Sequence, residues 1–506
     1  MGVNIVYTLA SIPLALHYLS NQQFGLWQVA ITVAGYLLLI DMGMTGASAR
    51  ILIDHKDDPT GDAYRSVIKI SWIVFSIQGL AIAVIGGALS FWMPQLANVA
   101  SQFPDPATGA GAARAVVILT AGQCLILGLF FPTRVFWNLA IAHQRYDIYN
   151  YVQVTVLIVQ FGALWIAFHE GLGIYSVLVA SAISSVFGFF IAGFVAWRAH
   201  FLPPAPWKGR FDRSLFKEIF FYGTDQFLMA LGSQLNNASQ VVIISHTLGL
   251  TAAAIWSVAT KPFLLAQQLV GRIFAFSTPA LAEMIVRNER DRLLQRFRDI
   301  VAISVALAVL IGGSIALCNE SFLQVWTKGR IAWDQRNDLL LALWFIIVVA
   351  PGLHVFGTTL TKQIGRMRYV YFVEGILFVT LAVLSARHFG IGGIIVSAIV
   401  ADILCSGVFG VRRTVVYFGL SSREVIIGWM AAPLKQLLLF APVLVGCKFM
   451  TQALPSLDRF VINASVAGTV GLWLFWRVGL TTEFRREARG MLGKVRSRLV
   501  KGAANP

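Results

Sequence analysis

The residues best equipped for chemistry are ionisable and amide side chains stranded in apolar runs. Lys261 lies in the run 250–276, followed by Gln267 and Gln268, with Arg272 eleven residues on (272 − 261), about three helical turns. Arg134 and Asn138 are one turn apart in the run 113–141, beside Trp137. The run 219–246 carries Asp225, Gln226, Gln234, Asn236, Asn237 and Gln240. The acidic residues at such depth are Asp41, Asp225, Glu374 and Asp402. An ionisable residue within a membrane span rarely faces lipid. A fixed cation there can hold an anion, and a carboxyl can carry a coupling ion. The competing readings are snorkelling, an interhelical ion pair, or a hydrogen-bonded structural carboxyl. The four cysteines, Cys124, Cys318, Cys405 and Cys447, sit in apolar runs without metal-ligand spacing, so buried inert thiols are expected, with no metal and no cofactor.

The elements that must position these groups follow from composition. The chain has 506 residues, of which 57% are hydrophobic and 13% charged. Soluble chains carry about 25% charged residues. Apolar runs of about 20 residues recur from end to end, which predicts an all-α polytopic membrane protein. Fourteen spans are expected, near 3–19, 25–44, 67–93, 113–141, 148–168, 171–197, 219–246, 250–276, 299–318, 339–360, 368–387, 390–411, 432–452 and 460–478. No basic n-region or A-x-A-like site precedes or ends the first run, so no cleavable signal peptide is expected.

The formal net charge is +16, which on a soluble chain would suggest nucleic acid. Its placement argues otherwise. Thirty of the forty Lys and Arg lie on or beside one set of alternating connections or in the tail, and seven lie on the other set. That bias places the richer side and both termini in the cytoplasm, with no nucleic-acid partner and some attraction to anionic membrane lipids. Residues 278–301 and 49–70 have the amphipathic pattern of helices lying at the interface. Residues 202–210, LPPAPWKGR, form a Pro-rich basic linker.

An internal echo divides the chain. LSNQQFGLWQVA begins at Leu19 and LGLTAAAIWSVA at Leu248, an offset of 229 positions (248 − 19) that aligns Trp27 with Trp256 and Thr32 with Lys261. Both tryptophans are expected in an interfacial belt.

The order of motifs resembles the polysaccharide translocases of the multidrug/oligosaccharidyl-lipid/polysaccharide exporter superfamily. The carrying segments are LSNQQFGLWQVA and LLLIDMGMTGASAR, then SLFKEIFFYGTDQF, LNNASQVVIISHTLGLTAAAIWSVATK, STPALAEM and FLQVWTKGR. Gln22 stands where an acidic turn residue is usual, and Ser239 where an Asp is usual. The resemblance implies two pseudo-symmetric six-helix lobes, residues 1–197 and 219–411, joined by a linker at 198–218. Two accessory helices (432–478) and a basic cytoplasmic tail (479–506) follow. It also implies a flippase of the bacterial cytoplasmic membrane that moves a polyprenyl-diphosphate-linked saccharide by alternating access. Polysaccharide polymerase and export machinery are the further partners implied.

Such a substrate needs cations for phosphate and amides or aromatics for sugar. Lys261, Arg134, Arg272, Asn138 and Gln268 are therefore the expected substrate-binding set, and Glu374, Asp402 and Asp225 the expected ion-coupling set. A cation-coupled multidrug exporter is the neighbouring alternative. An enzyme, such as a membrane glycosyltransferase or polymerase, is disfavoured: Asp105, Glu320, Asp334 and Asp338 form no catalytic spacing, and no Walker sequence occurs.

Overall fold

The structure is a computed structural model. It describes residues 2–103, 105–203, 209–360, 365–481, 484–486 and 490, excepting the side chains of 218, 221–226, 356 and 358–360. No strand occurs among the described residues. The helices that matter below are α1 (Gly2–Tyr18), α2 (Asn21–Leu37), α3 (Met44–His55), α4 (Asp62–Ser90), α5 (Pro106–Phe130), α6 (Arg134–Ala142), α7 (Tyr146–His169) and α8 (Ser176–Arg198). They continue as α9 (Arg213–Thr247), α10 (Leu250–Ala259), α11 (Lys261–Val286), α12 (Arg290–Trp326), α13 (Arg336–Leu360) and α14 (Met367–Asp402), then α15 (Val408–Phe418), α16 (Ala431–Thr451) and α17 (Ser456–Leu474). Among the described residues, eleven helical stretches are long and apolar enough to cross a membrane. The chain is an all-α, multi-pass membrane protein. Within α14, Gly390 is non-helical (φ 59, ψ −143), at the start of the expected run 390–411.

The echo holds to the residue. α1 ends at Tyr18 and α9 at Thr247; α2 starts at Asn21 and α10 at Leu250, each pair offset by 229 (247 − 18 and 250 − 21). The two turns are stabilised differently. Ser20 accepts from the Gln23 N–H (3.2 Å) and donates its own N–H to Gln23 Oε1 (3.0 Å), a reciprocal capping box. The second turn uses Gly249 (φ 99), and the Leu250 N–H donates to Gln102 Oε1 from the short-helix loop before α5. The same loop holds His246, whose Nδ1 lies 3.2 Å from the Leu96 carbonyl. The two echoed helix starts also touch: a Cβ on Gly25 would meet the Leu250 carbonyl oxygen, which requires glycine there.

The chain forms two compact units. The first comprises Met1–Val258 and Tyr371–Gly390; the second comprises Ala259–Val370 and Ile391–Pro506. In the first, α4 and α5 cross backbone to backbone at Gly79 and Gly128, the small-residue packing that membrane helices favour. Tyr64, Phe75, Phe131 and Val135 are buried in its core. In the second, α12 is the central helix. Its Val309, Leu310 and Leu317 pack with Phe440 of α16 and with Ala467 and Leu474 of α17, so the last two helices belong to this unit's core.

Neither of the two segments expected as interfacial helices forms one continuous helix. Residues 278–301 divide between the end of α11 and the start of α12, with Asn288 at φ 56 in the break. Residues 49–70 divide between α3 and α4. In 278–301 the amphipathic pattern belongs to the end of α11 and the start of α12, whereas in 49–70 it includes α3, a separate helix of 12 residues. Trp27 and Trp256 are buried at 8% and 4% exposure, inside the protein rather than in a lipid-facing belt. Cys124, Cys318 and Cys447 are buried, and all four thiols are free. Most of the linker 202–210 and most of the basic tail lie outside the described residues.

Between α6 and α7, His143 lies flat on Phe201 (ring centroids 4.4 Å apart) with Nε2 at 3.2 Å from the Tyr64 hydroxyl, which itself donates to the Phe201 carbonyl. Burial, then the charge of Lys56, pushes the His143 pKa below 6.5, with Asp57 opposing. The folded state therefore binds less proton than the unfolded state once pH falls below the ordinary histidine value, and stability contributed by neutral His143 is lost from there downward. Thermal melts of purified protein between pH 7.5 and pH 5 will show wild type losing more stability than His143→Gln; parallel curves would refute this.

Candidate functional site

The expected site residues fall into separate clusters. The first surrounds Arg134. After α2 a 3-10 turn (Leu38–Asp41) leads through left-handed Met42 and Gly43 into α3. The break leaves carbonyls to satisfy, and Gln78 Nε2 donates to those of Ile40 (2.8 Å) and Asp41 (3.1 Å). Asp41 Oδ1 accepts from the Thr45 hydroxyl (2.5 Å) and faces Arg134 Nη1 at 3.3 Å. Arg134 opens α6 after a turn containing Pro132, donates to Thr45 Oγ1 (2.9 Å), and lies over the Phe131 ring at 4.2 Å. Asn138, fully buried, donates to the Thr45 carbonyl (3.0 Å). The structure thus brings Arg134 and Asn138 together, and ties both to the Asp41 turn.

The second cluster contains Lys261. The break between α10 and α11 falls at Thr260, and Pro262 lies in the first turn of α11. Proline has no N–H, so the Val258 carbonyl loses its helical donor and the helix cannot continue straight. Asn319 Nδ2, from α12, donates to the Ala259 carbonyl (3.1 Å) and to Asp338 Oδ1 (2.7 Å). Trp333 Nε1 donates to the same Asp338 oxygen (2.8 Å). Asn319 and Asp338 are both buried. This network fixes the break, and Lys261 is the first residue beyond it. Lys261 is half-buried and makes no ion pair among the described residues. Gln268 and Arg272, seven and eleven residues on (268 − 261, 272 − 261), share its helical face and are exposed.

Two of the three expected coupling carboxyls, Glu374 and Asp402, are engaged within their own unit. Asn236 of α9 lies 3.4 Å from Glu374 Oε1. Nearby, Ser239, the serine at the usual Asp position, hydrogen-bonds the Tyr36 hydroxyl (2.5 Å). In the second unit Trp344 Nε1 donates to Asp402 Oδ2 (2.8 Å). The side chain of Asp225 lies outside the described residues. No group of three metal-ligating side chains occurs among the described residues. Sequence reading missed Asp41 as the partner of Arg134, 93 positions away (134 − 41), and the Asn319–Asp338 pair. The single-residue signal for the latter was Pro262.

A family model described as polysaccharide biosynthesis protein matches residues 2–285. No curated protein matches the chain. Among solved structures, the chain is similar to the lipid II flippase MurJ in an inward closed conformation, with TM-score 0.65 and 12% identity over 93% of this chain and 96% of that one. It is also similar to a multidrug resistance MATE family transporter of the MOP superfamily in an inward-facing conformation, with TM-score 0.63 and 12% identity over 82% of this chain and 95% of that one. At these identities the likeness is one of fold.

Asn319→Leu leaves the buried Asp338 oxygen and the Ala259 carbonyl short of a donor, at a cost of about 1–3 kcal/mol. Asn319→Leu and Asp338→Leu will each lower the melting temperature of detergent-purified protein, and the double variant will lose less than both losses combined. Additive losses would show that the two residues act independently.

Proposed function

The chain belongs to the polysaccharide biosynthesis protein family, and from that premise we propose that it carries a polyprenyl-diphosphate-linked oligosaccharide across the bacterial cytoplasmic membrane by alternating access. Surface polysaccharide is the product this serves. Transport, with no covalent chemistry, is the activity. The observation that carries the reading is Lys261: a half-buried cation in a membrane span, placed just past a helix break and without an ion pair among the described residues.

The physical problem explains the arrangement. A diphosphate head group cannot enter hydrocarbon without fixed positive charge and hydrogen-bond donors, whereas the polyprenyl tail can remain in lipid. Lys261 is a compact, mobile ammonium suited to a phosphate that must be held and then released. Gln268 and Arg272 extend the same polar stripe. Arg134 is held more firmly, by Asp41 and Thr45, and with Asn138 contributes positive potential more than a free ligand contact. Glu374, Asp402 and Asp225 are the candidates for ion coupling. Two pseudo-symmetric lobes, with both termini cytoplasmic, are the architecture this function uses.

Deletion of the gene will accumulate polyprenyl-linked saccharide and remove surface polysaccharide. Lys261→Ala, expressed at wild-type level, will fail to restore it, and Lys261→Arg will restore it in part. Normal polysaccharide with Lys261→Ala would remove Lys261 from the mechanism. Absence of accumulated lipid-linked sugar in the deletion would overturn the transport reading. The Glu374→Gln, Asp402→Asn double variant will lose the dependence of transport on the proton gradient; unchanged dependence would exclude both carboxyls.

A further inference from the structure

The first unit contains a cavity of ≈ 340 Å³ bounded by α5, α6, α7 and α8. Its lining includes Gln123, Gln153, Gln160 and Ser185. These residues stand in helices long and apolar enough to cross a membrane. Gln153 and Gln160 are seven residues apart (160 − 153), two turns, so one face of α7 presents both amides. None of these four side chains makes a hydrogen bond within the protein among the described residues, although each is half-buried. Each glutamine offers two donors and one acceptor. An amide in hydrocarbon without a hydrogen-bond partner is costly. Amides retained at membrane depth and aimed into one cavity are therefore there for polar matter.

Charge narrows the ligand. The lining contains no carboxylate, and its one cation, Arg134, already faces Asp41 at 3.3 Å. A cavity so neutralised suits an uncharged, hydroxyl-rich molecule better than a phosphate. Trp137 lines it as well and offers an apolar ring face, which a sugar's C–H face can cover. The volume lies at the lower end of ligand sites, about 300–1,000 Å³, which fits one ring rather than an oligosaccharide. We propose that this cavity is a glycosyl subsite, in which the amides of Gln123, Gln153 and Gln160 hydrogen-bond the hydroxyls of one neutral sugar unit of the transported saccharide. This assignment rests on the transport reading and gives the sugar a place chemically distinct from the Lys261 cation.

The test uses the full chain in phosphatidylglycerol/phosphatidylethanolamine nanodiscs. Saturation-transfer NMR with neutral hexoses and N-acetylhexosamines measures sugar binding, and calorimetric titration with inorganic pyrophosphate measures anion binding. At least one neutral sugar will bind. The Gln153→Leu, Gln160→Leu double variant, with an unchanged melting temperature, will weaken it at least ten-fold and leave pyrophosphate binding as in wild type. Ser185→Phe, which fills the cavity and keeps the amides, will do the same. Lys261→Ala will show the converse pattern. Sugar binding undiminished in both cavity variants overturns the subsite. So does pyrophosphate binding without any sugar binding across the panel, and in that case the transport reading stands. Failure of the transport reading is scored separately, by the absence of accumulated lipid-linked sugar in the deletion.

Discussion

A helix that reaches Pro262 loses a donor, and the carbonyl four residues back then has neither its helical partner nor, in hydrocarbon, bulk water to replace it. The position of Lys261 depends on what holds the chain one residue further on, at the next carbonyl. The Ala259 carbonyl takes the amide of Asn319, and Asn319 is in turn held by Asp338. The boundary between the two compact units falls between Val258 and Ala259, at this break. The same solution recurs elsewhere in the chain. Gln78 serves the carbonyls freed where α2 turns into α3, and Gln102 serves the N–H that opens α10. At these three interruptions the helix end is matched by an amide from another segment. The amides of Gln123, Gln153 and Gln160 have no such duty, and this contrast singles out their cavity.

The same constraint sorts the cations. Arg134 stands against Asp41, Thr45 and the face of Phe131, and loses freedom with each contact. Lys261 is fixed at its backbone by the break and left unpaired at its ammonium among the described residues. Arg272 is exposed on the same face of that helix, eleven residues on. A rigid, paired guanidinium shapes potential, whereas an ammonium on a free stem can follow a ligand. Position in the helix, more than charge alone, separates these two environments.

Much of this was legible beforehand, and the exceptions have physical causes. Apolar run length predicted membrane-crossing helices because hydrocarbon thickness acts on every residue of a span alike, and eleven such stretches, against fourteen expected runs, occur among the described residues. The echo predicted paired turns, and their helix ends agree at Tyr18 with Thr247 and at Asn21 with Leu250. Pro262 stood in plain view, yet a run of average hydropathy hides one missing N–H, so Lys261 was expected in mid-span. Thr32, its counterpart, lies one residue before Val33, where α2 runs on unbroken and Thr32 donates back to Gln28. Partners far apart in sequence, such as Asp41 and Arg134, leave no local mark. Trp27 and Trp256 mislead for a related reason: a tryptophan near a helix end suits both a lipid interface and a packed core.

The two echoed turns differ in where their stabilising groups are encoded. Ser20 and Gln23 lie within the turn they cap, so that turn is a self-contained unit of inheritance and can change by local substitutions. Leu250 takes its cap from Gln102, 148 positions earlier (250 − 102). The second turn is therefore not transferable on its own. A chimera that exchanges either the loop before α5 or the start of α10 without the other separates donor from acceptor. Covariation between positions 102 and 250 among relatives is the trace such a dependency leaves.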